Sequence, residues 1–423
     1  MKTPIYHPVY SGRLCGILSR VLIACFLVQS AAAWPHFRGP ARDGKAGPGP
    51  RLLEAWPEGG PPHLWTYDQL GEGYASAAIS NDRIFVTGME GETGHLYALD
   101  LAGTLLWKTP YGPEWVRNYR GTRTTPTIHK GRVYLMSGHG RAVCFDAATG
   151  RELWAVDTVE AFGARTITWG ITESPLVLDD KVIFSPGGKK AGVVALDLET
   201  GKTLRVCADV NDRSGYCSPI MIERGGRQIV VQLMATTFVG IDAATGALLW
   251  REPRQITPEH KIQAVPPVYA DGRFYITSGY GGERGAMYRL NETGSAVTLA
   301  WQDSELDCHH GGLILHDGFI YGAADRNNRN QWLCLNLDNG SVAAKIPGVG
   351  KGSVAFAEGM LYTLSERGEM GLVKADPQDF RLVSSFRVPS GGSGPHWAHP
   401  SIAGGRLYIR HSGSLFVYNI SGP

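Results

Sequence analysis

Two short stretches concentrate groups able to do chemistry. CHHGG, residues 308–312, sets His309 and His310 beside Cys308, followed by glycines that let backbone come close to a neighbour. GPHWAHP, residues 394–400, adds His396, Trp397 and His399. Neutral imidazole is a common metal ligand, so His309, His310, His396 and His399 could hold a metal if the fold gathers them, with Glu173 or Asp307 added. A metal there would make a hydrolase conceivable. The spacing matches no standard metal motif, and clustered histidines also serve as loop hydrogen-bond partners. WGITES (169–174) and RGTRTTP (120–126) supply Trp169, Glu173 and Arg123. An aromatic, an acid and a guanidinium suit a polar peptide or a sugar, or equally an internal salt bridge with stacking. Cys308 next to His309 could be a nucleophile pair, but adjacent residues of a strand point to opposite faces.

The elements that must position these residues repeat along the chain. VCFDAATGRELW (143–154) returns as VGIDAATGALLW (239–250). Each is a short apolar strand ending in Asp or Asn, a small-residue turn with Gly, and a second strand that often ends in Trp. The anchors are Asp100, Asp146, Asp197, Asp242, Asn291, Asn336, Asp376 and Asn419, eight copies spaced by 40 to 51 residues. Asp or Asn can bond its own backbone two residues on, and Gly takes the positive φ. Upstream of each anchor lie two more strands, as in TTPTIHKGRVYLMSG (124–138). Four strands at this period predict an all-β, eight-bladed propeller of four-stranded blades. HLWTYD, 63–68, supplies the strand missing from the last blade and closes the ring. Trp65, Trp107, Trp154, Trp250 and Trp301 share one slot and should fill the wedges between blades.

In a propeller the innermost strands line a channel, and residues at their starts ring one mouth. The repeats place Tyr74, Arg123, Glu173, Tyr216, His309, His310, Lys351, Trp397 and His399 there, with Trp169 beside them. This ring is either a ligand site or a solvated rim that satisfies loop backbone. Cys144 and Cys334 hold a slot that elsewhere carries Ala98 and Ala195, a place for a small buried side chain. Cys207 ends one blade and Cys217 begins the next, close enough in sequence for a loop-closing disulfide.

The D-x-x-T-G-x-x-x-W unit resembles the repeat of the pyrroloquinoline-quinone-type β-propeller superfamily, over nearly all of residues 62–423. That superfamily includes quinoprotein dehydrogenases and the propeller subunit of the outer-membrane β-barrel assembly machinery. WPHFRGPARDG (34–44) is similar to the opening of exported propellers from environmental bacteria. The dehydrogenases resemble longer chains with an adjacent cysteine pair and, in some, a C-x-x-C-H haem site; this sequence has neither. The resemblance therefore implies a non-catalytic scaffold, with no cofactor, that binds a protein, peptide or polysaccharide at one face, conceivably in envelope biogenesis. The alternative it implies is a quinone-dependent alcohol or sugar dehydrogenase using pyrroloquinoline quinone with calcium. A metal-dependent hydrolase comes third.

Composition agrees with many short strands and turns: 423 residues with 55 Gly, 25 Pro and only 19% charged. The net charge of +2 includes no Lys/Arg cluster, so nucleic acid is not expected as a partner. Lys2, Arg13 and Arg20, the apolar run 21–28 and Ala31-Ala32-Ala33 read as a secretory leader, residues 1–33, cut after Ala33. Leu22-Ile23-Ala24-Cys25 fits a lipobox, a rival reading that would anchor the chain through Cys25 to a membrane. Residues 34–61 should form an irregular surface arm, and 62–423 a single monomeric propeller, periplasmic or extracellular, with no transmembrane segment in the mature chain.

Overall fold

A computed structural model describes residues 1, 33–80, 82–254, 262–280 and 285–423. Residues 2–32 of the expected leader, Cys25 among them, lie outside the described residues. No helix among the described residues is long and apolar enough to cross a membrane.

Eight four-stranded antiparallel sheets follow one another, each strand pairing with its sequence neighbour. The blades span residues 78–113, 127–157, 176–207, 220–253, 268–303, 314–346, 352–387 and 401–419. The eighth has three strands of its own, and His63–Tyr67 pairs with its outermost strand Ser414–Asn419. The sequence expectation of an eight-bladed ring closed by an N-terminal strand is met.

The turn chemistry explains the repeat. Asp146 Oδ1 accepts the backbone N–H groups of Ala148 and Thr149 and the Thr149 hydroxyl at 2.8–3.1 Å. Asp197 does the same toward Glu199 and Thr200. The following glycines, Gly150 and Gly201, sit at φ 72° and 69°. They are needed for a second reason. A Cβ on Gly150 would meet the Trp107 ring at 2.5 Å, and one on Gly201 the Trp154 ring at 2.8 Å. Each Trp thus lies flat on the turn of the next blade, and Trp65 and Trp301 cover Gly103 and Gly340 in the same way. Trp154 Nε1 donates to Leu198 O and Trp65 Nε1 to Leu101 O, also across blades. Trp250 departs from this, packing on Phe238 and Phe274 with Gly240 beneath its ring.

One strand inward, three of the five slots opposite a Trp are small for a steric reason, whereas Trp301 faces Met287 and Trp65 faces Val417. Ala98 faces Trp107, Cys144 faces Trp154 and Gly240 faces Trp250, each beside a bulge that shifts the register. Apolar clusters fill the space between neighbouring blades, as where Ala78 and Phe85 meet Val133 and Phe145.

The arm corrects an expectation. Its later part lies on the surface, with residues 48–51, 54, 55 and 57–59 exposed, whereas residues 34–46 run along the channel. Trp34 bridges to Ile79, Pro35 O accepts from Ile128 N, and Gly44 and Ala46 bond Phe356, all on innermost strands. Arg42 donates to Ser174 O and Pro175 O at 2.7 and 2.9 Å, and Arg38 donates to Leu313 O. Both guanidiniums are buried, and burial lowers each to about 10. The physical reason is carbonyl supply. The residues leading into the inner strands turn C=O groups toward the arm, each costing about 1–3 kcal/mol if buried unpaired, and the two arginines satisfy those of Ser174, Pro175 and Leu313.

Candidate functional site

The channel mouth is built from segments that precede the innermost strands, as the repeat register requires. Eight of the ten sequence candidates line one cavity of about 450 Å³: Tyr74, Arg123, Trp169, Tyr216, His309, His310, Trp397 and His399. Ten residues that the sequence reading did not single out complete it, among them the hydroxyls of Ser76, Thr125, Thr172, Ser174 and Ser218. Phe37 comes from the arm, Tyr119 from the loop leaving the first blade, and Ile262 and Tyr280 from loops around the fifth.

The rings are tilted toward one another. Tyr119 and Trp397 lie 4.5 Å apart at 57°, Tyr74 and Trp397 5.4 Å apart at 46°, and Tyr119 and Trp169 6.2 Å apart at 53°. Three of the tyrosines hold left-handed backbone: Tyr119 at φ 50°, Tyr216 at 77° and Tyr280 at 78°. Bulky residues rarely adopt that region, and such strain persists where surrounding structure fixes it, often at ligand clamps. Arg123 supports the wall, lying over Tyr74 while donating to the carbonyls of Asn118, Tyr119 and Gly121.

Two candidates lie elsewhere. Glu173 is fully buried behind the wall, accepting from Ser185 N and Gln232 Nε2 at 2.9–3.3 Å. Its neighbours Thr172 and Ser174 face the cavity, so alternation along an extended segment turns Glu173 inward. Burial there pushes its carboxyl up to about 8. Lys351 lines an adjoining cavity of about 540 Å³ instead, which shares Tyr280 and His309 with the first.

The four-histidine metal set is not assembled. His396 stacks on His411 at 3.6 Å, buried beside Gly368. His399 is held by the carbonyl of His310 at 2.9 Å and packs on Phe37. Burial and the Arg38 charge lower it to about 3. Asp307 caps the 325–327 loop by accepting its N–H groups. What gathers instead is His309, His310 and Glu366, their ligand atoms within 4.8 Å of one another. An ammonium already sits among them. Lys351 Nζ is 2.8 Å from Asp325, 3.3 Å from Glu366 and 3.5 Å from His309 Nδ1. Glu366 also accepts from Trp397 Nε1 at 2.9 Å and faces His310 Nε2 at 3.0 Å. Burial alone would raise Glu366, but the His310 and Lys351 contacts hold it down to about 2. Burial, His310 and Lys351 together lower His309 to about 3, far from a base tuned for neutral pH.

The cysteine pair is corrected too. Cys144, Cys207, Cys217, Cys308 and Cys334 are all free and buried. Cys207 packs in the wedge between the third and fourth blades, whereas Cys217 belongs to the core between the fourth and fifth, with the 3-10 turn Ala208–Val210 between them in sequence. Cys308 turns its thiol to Gly312 O, away from the cavity.

A flat, tricarboxylate quinone with calcium fits this lining poorly. The touching Tyr and Trp rings of the wall are inclined at 46–57° to one another, and no thiol lines the cavity. Arg123 is committed to three carbonyls. The carboxylates of the adjoining cavity, Asp325 and Glu366, already share Lys351. The arrangement suits binding of a group with a three-dimensional cross-section, such as a sugar ring or a side chain.

A family model described as "Outer membrane protein assembly factor BamB" matches residues 92–346. In structure the chain is similar to BamB from Moraxella catarrhalis, with a TM-score of 0.63, 15% identity, and 84% of this chain and 99% of that one covered. It is similar also to quinohemoprotein alcohol dehydrogenase from Comamonas testosteroni, with a TM-score of 0.67, 14% identity, and 93% and 81% covered. At these identities the likeness shows the propeller fold alone. In sequence, quinohemoprotein alcohol dehydrogenase ADH IIB of Pseudomonas putida is 30% identical over 145 residues, 32% of this chain and 20% of its own. The chain thus spans about a fifth of the length of the curated relatives it matches.

Proposed function

The chain belongs to the family described as outer membrane protein assembly factor BamB, and from that membership we propose that it is an exported, non-catalytic propeller that holds a protein, peptide or polysaccharide ligand at the aromatic mouth of its channel. The observation that carries this reading is the state of the mouth. Its walls are tilted aromatic rings, and its central ionic groups are spent on one another: Lys351 on Asp325 and Glu366, Glu366 on His310 and Trp397. That leaves apolar, shape-defining surface rather than a free nucleophile or a tuned base.

The quinoprotein reading rests on the sequence relatives and on the shared fold. It asks for a planar cofactor and a metal in a lining that offers no thiol and whose neighbouring carboxylates, Asp325 and Glu366, already share Lys351. The hydrolase reading asks a metal to displace the Lys351 ammonium.

The test is a peptide and glycan array probed with the mature protein and with Trp397→Ala. The reading expects a ligand class retained by wild type and lost by the variant. Binding that Trp397→Ala leaves intact, or dye-linked alcohol oxidation by wild type supplied with quinone and calcium, overturns it.

A further inference from the structure

Resting on the recognition reading, we infer that the ligand of this mouth is an acidic glycan, its sugar ring in the aromatic box and its anionic group in the adjoining cavity. Three observations converge.

The first is the shape of the box. Rings inclined at 46–57° surround a space rather than a slot. A pyranose presents C–H groups on two faces and hydroxyls around its edge, so it can rest on one ring while its edge meets others. The polar groups it would meet are the imidazoles of His309 and His310 and the hydroxyls of Ser76, Thr125, Thr172, Ser174 and Ser218, each able to donate and to accept.

The second is charge. The adjoining cavity shares Tyr280 and His309 with the box and is lined by Arg326, Arg329, Arg367 and Lys351 against Asp325 and Glu366. Lys351 is neutralised by both acids at 2.8 and 3.3 Å. Arg326 lies at the loose distance of 4.0 Å from Asp325 and stays largely exposed while covering Tyr280. Arg329 and Arg367 are exposed, and neither is held by a carboxylate among the described residues. The cavity therefore carries surplus positive charge with free guanidinium donors, beside a box whose one guanidinium, Arg123, is committed to three carbonyls. Guanidiniums pair with carboxylate, sulfate or phosphate through two parallel N–H groups.

The third is the bias against cations. Aromatic boxes also bind quaternary ammonium groups, but Arg123 already lies 6.0 Å over Tyr74 and Arg326 5.5 Å over Tyr280. A second cation in the same box would be repelled, whereas an anion one cavity away is attracted.

Calorimetric titration of the mature protein with uronate oligomers from polygalacturonate and alginate, each against its methyl ester, tests this. The ester keeps the ring and removes the charge. The expected result is binding of the acid form that weakens as salt rises. Arg329→Glu with Arg367→Glu should weaken it by about tenfold or more, and Trp397→Ala should abolish it. Equal binding of acid and ester overturns the role of the arginines. Equal binding of poly-glutamate overturns the sugar in favour of an acidic peptide. No binding of any uronate overturns the inference while the array result with Trp397→Ala still judges the recognition reading separately.

Discussion

The two ends of each blade solve the same problem in opposite ways. At the turn end, Asp146 satisfies backbone within three residues of itself, exposed to water, and its hydrogen bonds with Thr149 keep it below the usual carboxylate range. At the mouth end, Glu173 reaches Gln232, 59 positions away, from a site without solvent, and burial keeps it above that range. The turn end is local, repeated and structural. The mouth end is long-range, unrepeated and able to differ from blade to blade. Variation is tolerated where partners are distant in sequence, and there a specific site can form on a repetitive scaffold.

Perturbing each end should separate them, most strongly at the wedge. Trp154→Ala empties a space on which the next blade's turn rests, and should cost about 3–5 kcal/mol in denaturant unfolding. Arg42→Met leaves two buried carbonyls without donors. About 2 kcal/mol of lost stability is expected, with the added signature that Glu173, deprived of a nearby positive charge, titrates still higher. Asp146→Ala removes one turn anchor among eight and should cost about 1 kcal/mol.

A subtler contrast is in pH. The Glu173 carboxyl rises from 4.5 to about 8 on folding, so its contribution is complete below 4.5 and is lost as pH climbs through 8. His309 moves the other way, from 6.5 to about 3, and its contribution is present above 6.5 and lost as pH falls toward 3. Glu173→Gln should flatten the alkaline limb of a Tm-against-pH curve and leave the acid limb alone; an unchanged alkaline limb would contradict the buried placement. The smallest effect is none at all. With all five described cysteines free, reductant should not move the Tm of the mature protein.

The same contrast explains what could be read from sequence. The eight-fold period, the Asp/Asn turns and the Trp slot were legible because each is written within about a dozen residues. So was the ring of inner-strand starts, since register alone places Tyr74 and Trp397 at one end. Glu173 was misplaced because register gives an end but not a face, and one step of alternation turned it inward. Tyr280 and Glu366 were missed, although a signal existed. Both follow the second strand of a blade, and an antiparallel sheet brings that loop back to the end where the first strand began. Phe37 and the buried Arg38 had no such signal. The arm lacks periodicity, and only the carbonyls it meets in the channel explain its course.

The central claim is that this mouth recognises a ligand and does not run quinone chemistry. The most direct test is a visible-spectrum and metal titration of the purified mature protein with pyrroloquinoline quinone and calcium. The account predicts no stoichiometric complex and no dye-linked alcohol or sugar oxidation. A one-to-one quinone complex that turns over substrate would contradict it.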